Sequence, residues 1–165
     1  MREMIQEEIL LTDLVSECLE SKRDRAHAKG LTLVAENGED DFACRADRGL
    51  LRSALNNMIE AAMFYSRAGS AVKVSWGRDD TREHIRVSCE RGTIPFEELR
   101  TTRDLFCRPI SLDMAEIEGL REPLGYFSVI KDLADLHGGA VGVRNADEDG
   151  VVITLYLPRR ERGAA

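Results

Sequence analysis

No stretch of this 165-residue chain approaches the roughly 20 consecutive apolar residues that span a bilayer, and no signal-peptide pattern opens it. No CxxC is present either. The four cysteines, Cys18, Cys44, Cys89 and Cys107, are scattered and have no companion histidine cluster. That distribution argues against a disulfide framework and against zinc, and fits a reduced, cytoplasmic setting. Basic residues are not in excess: the net charge of -7 excludes a general nucleic-acid binder, which shows a basic face. Internal repeats are absent. None of the three histidines pairs with a base or an orienting carboxylate, so His27, His84 and His137 read as structural or surface groups. Cys89 and Cys107 read as inert thiols rather than a redox pair.

What is present is ordinary soluble-protein material, 43% hydrophobic and 32% charged, in a length that suits one domain with a real core. Residues 1–11 (MREMIQEEILL) are helix-compatible and amphipathic through Ile5, Ile9 and Leu10, but carry no start signal. They are expected to be the end of a preceding helix or linker. A helix follows in TDLVSECLESKRDRAHAKG, with Leu14, Val15, Cys18 and Leu19 on one stripe, Thr12 or Asp13 as its cap and Gly30 at its end. LTLVAE and FACRA are strand candidates separated by the turn NGEDD.

Asp47 is a good N-cap for a second helix, whose Leu51, Leu55, Met58, Ile59 and Ala62 recur at helical spacing. AVKVSWG and HIRVSCE alternate apolar and polar residues around the loop GRDDTRE, which predicts a hairpin. TIPFEELRTTRDLFCRPISLDMAEIEGLRE is the least regular stretch and reads as a long connecting lid. A last helix runs from Pro123 to His137 and is stopped by Gly138 and Gly139. AVGVRN and VVITLYLP form a closing hairpin around ADEDG, and residues 159–165 are a solvated tail. Paired strands broken by single-striped helices predict an α+β fold: a two-layer α/β sandwich, with helices on one face of a mixed, mostly antiparallel sheet. Met58, Ile59, Ala62, Val87, Val129 and Leu133 are expected to face its core.

ADRGLLRSALNNMIEAAMFYS resembles the N-box helix of the ATP-binding catalytic domain of sensor histidine kinases, the Bergerat-type fold shared with gyrase, Hsp90 and MutL. VIKDLADLHGGAVGVRNADEDGVVITLYLP is similar to that family's closing helix, glycine pair and last two strands. VSCERGTIPFEEL stands where its first glycine box does, and DLFCRP resembles its phenylalanine box. The resemblance covers residues 12–158 and implies a Bergerat-type sandwich and a role in two-component signalling. It also implies ATP-site positions at Asn57, Tyr65, Cys89 and Gly125.

Several of those positions carry other chemistry. Ala61 stands where the resemblance implies a second amide one turn after Asn57, and a methyl group offers magnesium no oxygen. Phe64 replaces a basic residue. Cys89 replaces the adenine-reading aspartate, and a thiol is a weak acceptor. The glycines of the first box become Arg91 and Thr93, and those of the second become Glu122, Leu124 and Tyr126, which costs the loop its backbone freedom. Asn57 itself reads as a helix amide satisfied by a neighbouring backbone group.

The expectation is a degenerate, pseudokinase-like domain with no catalytic residues, no metal and no cofactor, acting through protein contacts. The alternative is a divergent but active domain that binds ATP and magnesium. Expected partners are dimerisation and phosphotransfer helices of a longer natural protein, or a response regulator or kinase in trans, with no nucleic acid and no membrane contact. Phe64, Tyr65, Tyr126 and Phe127 are expected to fill part of the pocket. Residues 103–122 are expected to collapse over it or lack order, and their Leu105, Phe106, Ile110, Leu112 and Met114, like the stripe of Ile5, Ile9 and Leu10, to contact a helical partner or else complete the domain's own core.

Overall fold

The computed structural model describes residues 3–36, 42–107 and 122–159. In chain order the elements are β1 (Glu7–Leu10), α1 (Leu11–Ala28), β2 (Thr32–Glu36), β3 (Ala43–Ala46), α2 (Arg48–Tyr65), β4 (Ala71–Arg78) and β5 (Arg82–Cys89). They continue with α3 (Phe96–Phe106), α4 (Leu124–Leu136), β6 (Ala140–Asn145) and β7 (Val151–Pro158).

The main sheet has five strands in the order β2-β4-β5-β7-β6, and β1 pairs with β3 in a separate two-stranded sheet. Only β2 and β4 run parallel; the other neighbours in the main sheet are antiparallel. The period of two explains the layering. Val72, Val74 and Trp76 of β4, Ile85 and Val87 of β5, and Val151, Ile153, Leu155 and Leu157 of β7 are all buried. Between them lie residues that face away from the helices, such as Lys73, Arg86 and Tyr156. Lys73 there bridges Glu36 and Glu90, at 3.1 and 2.7 Å. Met58, Ile59, Ala62 and Val87 are fully buried and Leu133 is 7% exposed, whereas Val129 is half-buried at the margin of the core. This is the two-layer α/β sandwich that the alternation predicts.

Both helix ends flanking the candidate site follow local chemistry. Asp47 caps α2 by accepting from the Leu50 N–H at 3.1 Å. Gly138, at φ +70, lets the chain turn out of α4, and the Gly139 N–H then donates to Ala134 O at 2.8 Å. A Cβ on Gly139 would stand 2.0 Å from Tyr156 O, so this glycine also permits β6 to approach β7.

Three expectations are corrected. Residues 7–10 form a strand rather than the end of a helix: Ile9 faces inward opposite Cys44 and is 2% exposed, while Ile5 and Leu10 are exposed. A strand buries one side chain in two, which suits a segment with a single core residue better than a helical stripe does. Neither Thr12 nor Asp13 caps α1, which starts at Leu11 with Leu10 in the cap position and no side-chain bond. Phe96–Phe106 is a helix, α3, rather than irregular connection. It buries only Thr102 and Leu105, which is why its pattern reads weakly. Ile110, Leu112 and Met114 of the expected lid lie outside the described residues, as does the turn NGEDD.

Candidate functional site

Asn57, Ala61 and Phe64 lie along one side of α2, four and three residues apart, on successive turns of one helix. Helix α4 packs against α2 and presents Leu124, Gly125 and Tyr126 in its first turn. Tyr65 ends α2, Cys89 ends β5, and α3 lies against α4 and β6.

Several side chains at these positions are engaged with the protein itself, whereas the buried Tyr65 hydroxyl has no hydrogen-bond partner among the described residues. The Asn57 Nδ2 donates to Ser53 O at 2.7 Å, one turn back along its own helix. Ala61 is fully buried. Phe64 is 42% exposed and packs edge-to-face on Tyr65, with ring centroids 5.1 Å apart. Tyr65 is buried, and desolvation, reinforced by the Glu98 carboxylate beside it, pushes its phenol well above the usual range. Phe127 does not meet Phe64; it packs edge-to-face on Phe106 of α3 at 5.7 Å and is fully buried.

Tyr65, Cys89 and the loop after β5 converge tightly. A Cβ on Gly92 would stand 2.2 Å from Tyr65 O and 3.1 Å from Cys89 Sγ, so only glycine lets the three meet. That loop is held by its own polar contacts. Ser70 Oγ accepts from the Glu90 and Arg91 amides at 3.1 and 3.0 Å. Asp149 Oδ1 accepts from those of Gly92 and Gly150, both at 3.0 Å. Asn145 clasps Ile94 at both its N–H and its carbonyl, at 2.8 and 2.9 Å. Glu90 faces away from Cys89 and reaches Lys73, as strand alternation requires. Gly125, by contrast, has no described residue within 4 Å of where its side chain would begin.

One cluster was not visible as a pattern. Glu60, one residue before Ala61, is 6% exposed and holds both Lys22 Nζ at 3.0 Å and Arg25 Nη2 at 3.3 Å from α1. The same carboxylate, with Glu122, raises the Tyr126 phenol, although burial is the first cause. The paired spacing of Lys22 and Arg25 on a helix was the available signal, but nothing local says which carboxylate it meets. All four cysteines are free; Cys89 is buried and Cys107 exposed. Among the described residues no helix is long and apolar enough to cross a membrane.

The layered sheet, the helix pair and the loop between β5 and α3 define a Bergerat-type domain. Residues 46–161 match the family described as histidine kinase-, DNA gyrase B- and HSP90-like ATPases, and the chain belongs to that family. It is 26% identical, over 99% of its length, to an uncharacterized sensor-like histidine kinase of Rhizobium meliloti, of which it covers 30%. It is 31% identical over 94% of its length to the signal transduction histidine-protein kinase AfsQ2 of Streptomyces coelicolor, covering 27% of that protein. The chain thus spans under a third of these relatives. Among solved structures, the catalytic domain of histidine kinase ThkA superposes with a TM-score of 0.73 at 20% identity, covering 95% of this chain and 97% of that one. The mycobacterial sensor histidine kinase MprB gives 0.72 at 22% identity, covering 96% and 100%. Full-length ShkA, solved in complex with AMPPNP, gives 0.74 at 21% identity, covering 95% and 32%.

Proposed function

We propose that this is a degenerate histidine-kinase catalytic-type domain of a cytoplasmic two-component signalling protein, which does not bind Mg-ATP and acts through protein contacts. The observation that carries this reading is Ala61. A fully buried methyl group occupies the turn after Asn57, where a magnesium-binding site needs an oxygen. Asn57, the other amide position, donates its N–H to its own helix, so its Oδ1 is the single amide oxygen of the pair. Burial of Cys89, the engaged amides after β5 and the Tyr126 side chain in the first turn of α4 support the same reading. The residues present do not fit Mg-ATP. Contact partners of the expected chemistry are helices elsewhere in a longer chain, or a response regulator or kinase in trans.

Calorimetric titration with Mg-ATP, paired with thermal melts, tests this. A ligand held at a hundred times its Kd stabilises the folded state by about 2.7 kcal/mol, so micromolar affinity is visible as a clear rise in Tm. The expected result is no heat of binding and an unchanged Tm at millimolar Mg-ATP. Micromolar affinity overturns the proposal and makes the chain a divergent, active ATP-binding domain.

A further inference from the structure

A polar chain, buried at Asp47 and His137, joins the segment before β1 to both helices of the candidate site. The Ile5 N–H donates to Asp47 Oδ2 at 3.0 Å, and Asp47 Oδ1 accepts from the Leu50 N–H at 3.1 Å. The Asp47 N–H in turn donates to His137 Nε2 at 3.1 Å, and His137 Nδ1 lies 2.8 Å from Leu133 O. Because Nε2 accepts, the ring proton sits on Nδ1, which donates to the Leu133 carbonyl. Asp47 is 1% exposed and His137 3%, although they lie 90 residues apart in the chain.

We propose that Asp47 and His137 form a positioning relay, through which the placement of residues 3–10 sets the N-terminus of α2 against the C-terminus of α4. Two connections run into it. One is the direct bond from Ile5. The other is the β1–β3 ladder, in which Glu7 pairs with Ala46, the residue immediately before Asp47. A shift of the entering segment therefore moves both the carboxylate and the backbone of Asp47. Water cannot replace the lost partners at so buried a pair, so the His137 ring must follow or leave a donor unpaired. The ring is bonded to the last turn of α4, and α2 and α4 are the helices that carry Asn57, Ala61 and Tyr126. The device is independent of whether nucleotide binds.

The test uses the full 165-residue chain labelled with 15N, with no nucleotide present. Imidazole spectra report the His137 tautomer, and amide exchange reports the end of α4. Ile5→Pro removes the N–H donor. Deleting residues 1–5 removes it without proline's constraint on the backbone. Ile5→Ala is the control, because the Ile5 side chain is 69% exposed. Expected are an Nδ1-protonated ring in the native chain and displaced His137 ring resonances in the proline and deletion variants. Exchange of the His137, Gly138 and Gly139 amides should also rise roughly tenfold in both, the scale of one lost hydrogen bond. The alanine control should show neither change. In a His137→Asn background the deletion should no longer reach α4. Changes that stop at Asp47 and Leu50, or that reach α4 equally in the His137→Asn background, overturn the relay.

Discussion

The side-chain amide of Asn57 is bonded to the carbonyl of Ser53 at 2.7 Å, and the residue one turn further along, Ala61, is fully buried. The two positions are therefore parts of a packed helix face before they are parts of a site. Ala61→Asn, which restores the amide that the family resemblance implies, places a larger polar group in a filled space. Overpacking of this kind costs about 1–3 kcal/mol. The variant should melt at lower temperature than the native chain and gain no Mg-ATP affinity in calorimetry, because Cys89 and Tyr126 are unchanged.

Phe127 is the largest of the fully buried side chains and meets Phe106 edge-to-face. Phe127→Ala should destabilise the domain by about 3–5 kcal/mol, the usual range for a buried phenylalanine. Phe106 is only half-buried, so Phe106→Ala should cost clearly less. Urea unfolding midpoints at constant m-value separate the two.

Glu83 carries a pH signature. It is 5% exposed, and burial pushes its carboxyl above the ordinary 4.5, against the opposing pull of Arg78 and Arg159. The folded state thus keeps this proton at pH values where the unfolded chain has released it. The group's contribution is most favourable below the ordinary value and is lost as pH rises through the folded one. Glu83→Gln removes that loss. Its Tm relative to the native chain should be more favourable at pH 7 than at pH 4. Equal differences at both pH values would contradict the assignment. The Cys44 thiol, pushed up to about 12 by desolvation and by Glu83, stays protonated across this range.

Asp149 has the opposite sign. The Gly92 N–H first, then Arg67 and the Gly150 N–H, hold its carboxyl below the ordinary 3.8. Its contribution is present above the ordinary value and is lost as pH falls through the folded one. Asp149→Ala should speed amide exchange at Gly92 at neutral pH, whereas Gly150 keeps its bond to the Gly92 carbonyl, and the native chain should approach the variant's Gly92 rate as the carboxylate protonates.

Most of the architecture was legible because it is written in local periodicity. The β4–β5 and β6–β7 pairs alternate, α2 and α4 repeat apolar residues at helical spacing, Asp47 marks a helix start with its capping carboxylate, and Gly30 and Gly138 mark helix ends with positive φ. What was missed depends on partners far away in sequence. The strand β1 has one inward residue, Ile9, and its identity comes from pairing with Cys44. Helix α3 lacks both a capping side chain and a wide apolar stripe. The anchoring of the loop after β5 by Asn145 and Asp149, and the meeting of Asp47 with His137, join residues more than 50 apart that no short window brings together. The residues expected at the site could be named one by one from the family resemblance. The packing of Phe127 on Phe106 rather than on Phe64 was not legible, because it depends on how α3 is placed.

The position of β7 has a consequence for how the chain reaches this state. The last strand in sequence lies inside the sheet, between β5 and β6, and its register with β5 joins Cys89 to Val151 and Arg82 to Pro158. Until residues 151–158 have emerged from the ribosome, β5 has a bare edge and Ile85 and Val87 lack their neighbours across the ladder. The sheet is therefore completed late and over long loops, the kind of closure that slows folding. Closing the sheet thus waits on residues 151–158, which must insert between β5 and β6 before either neighbour has its full ladder.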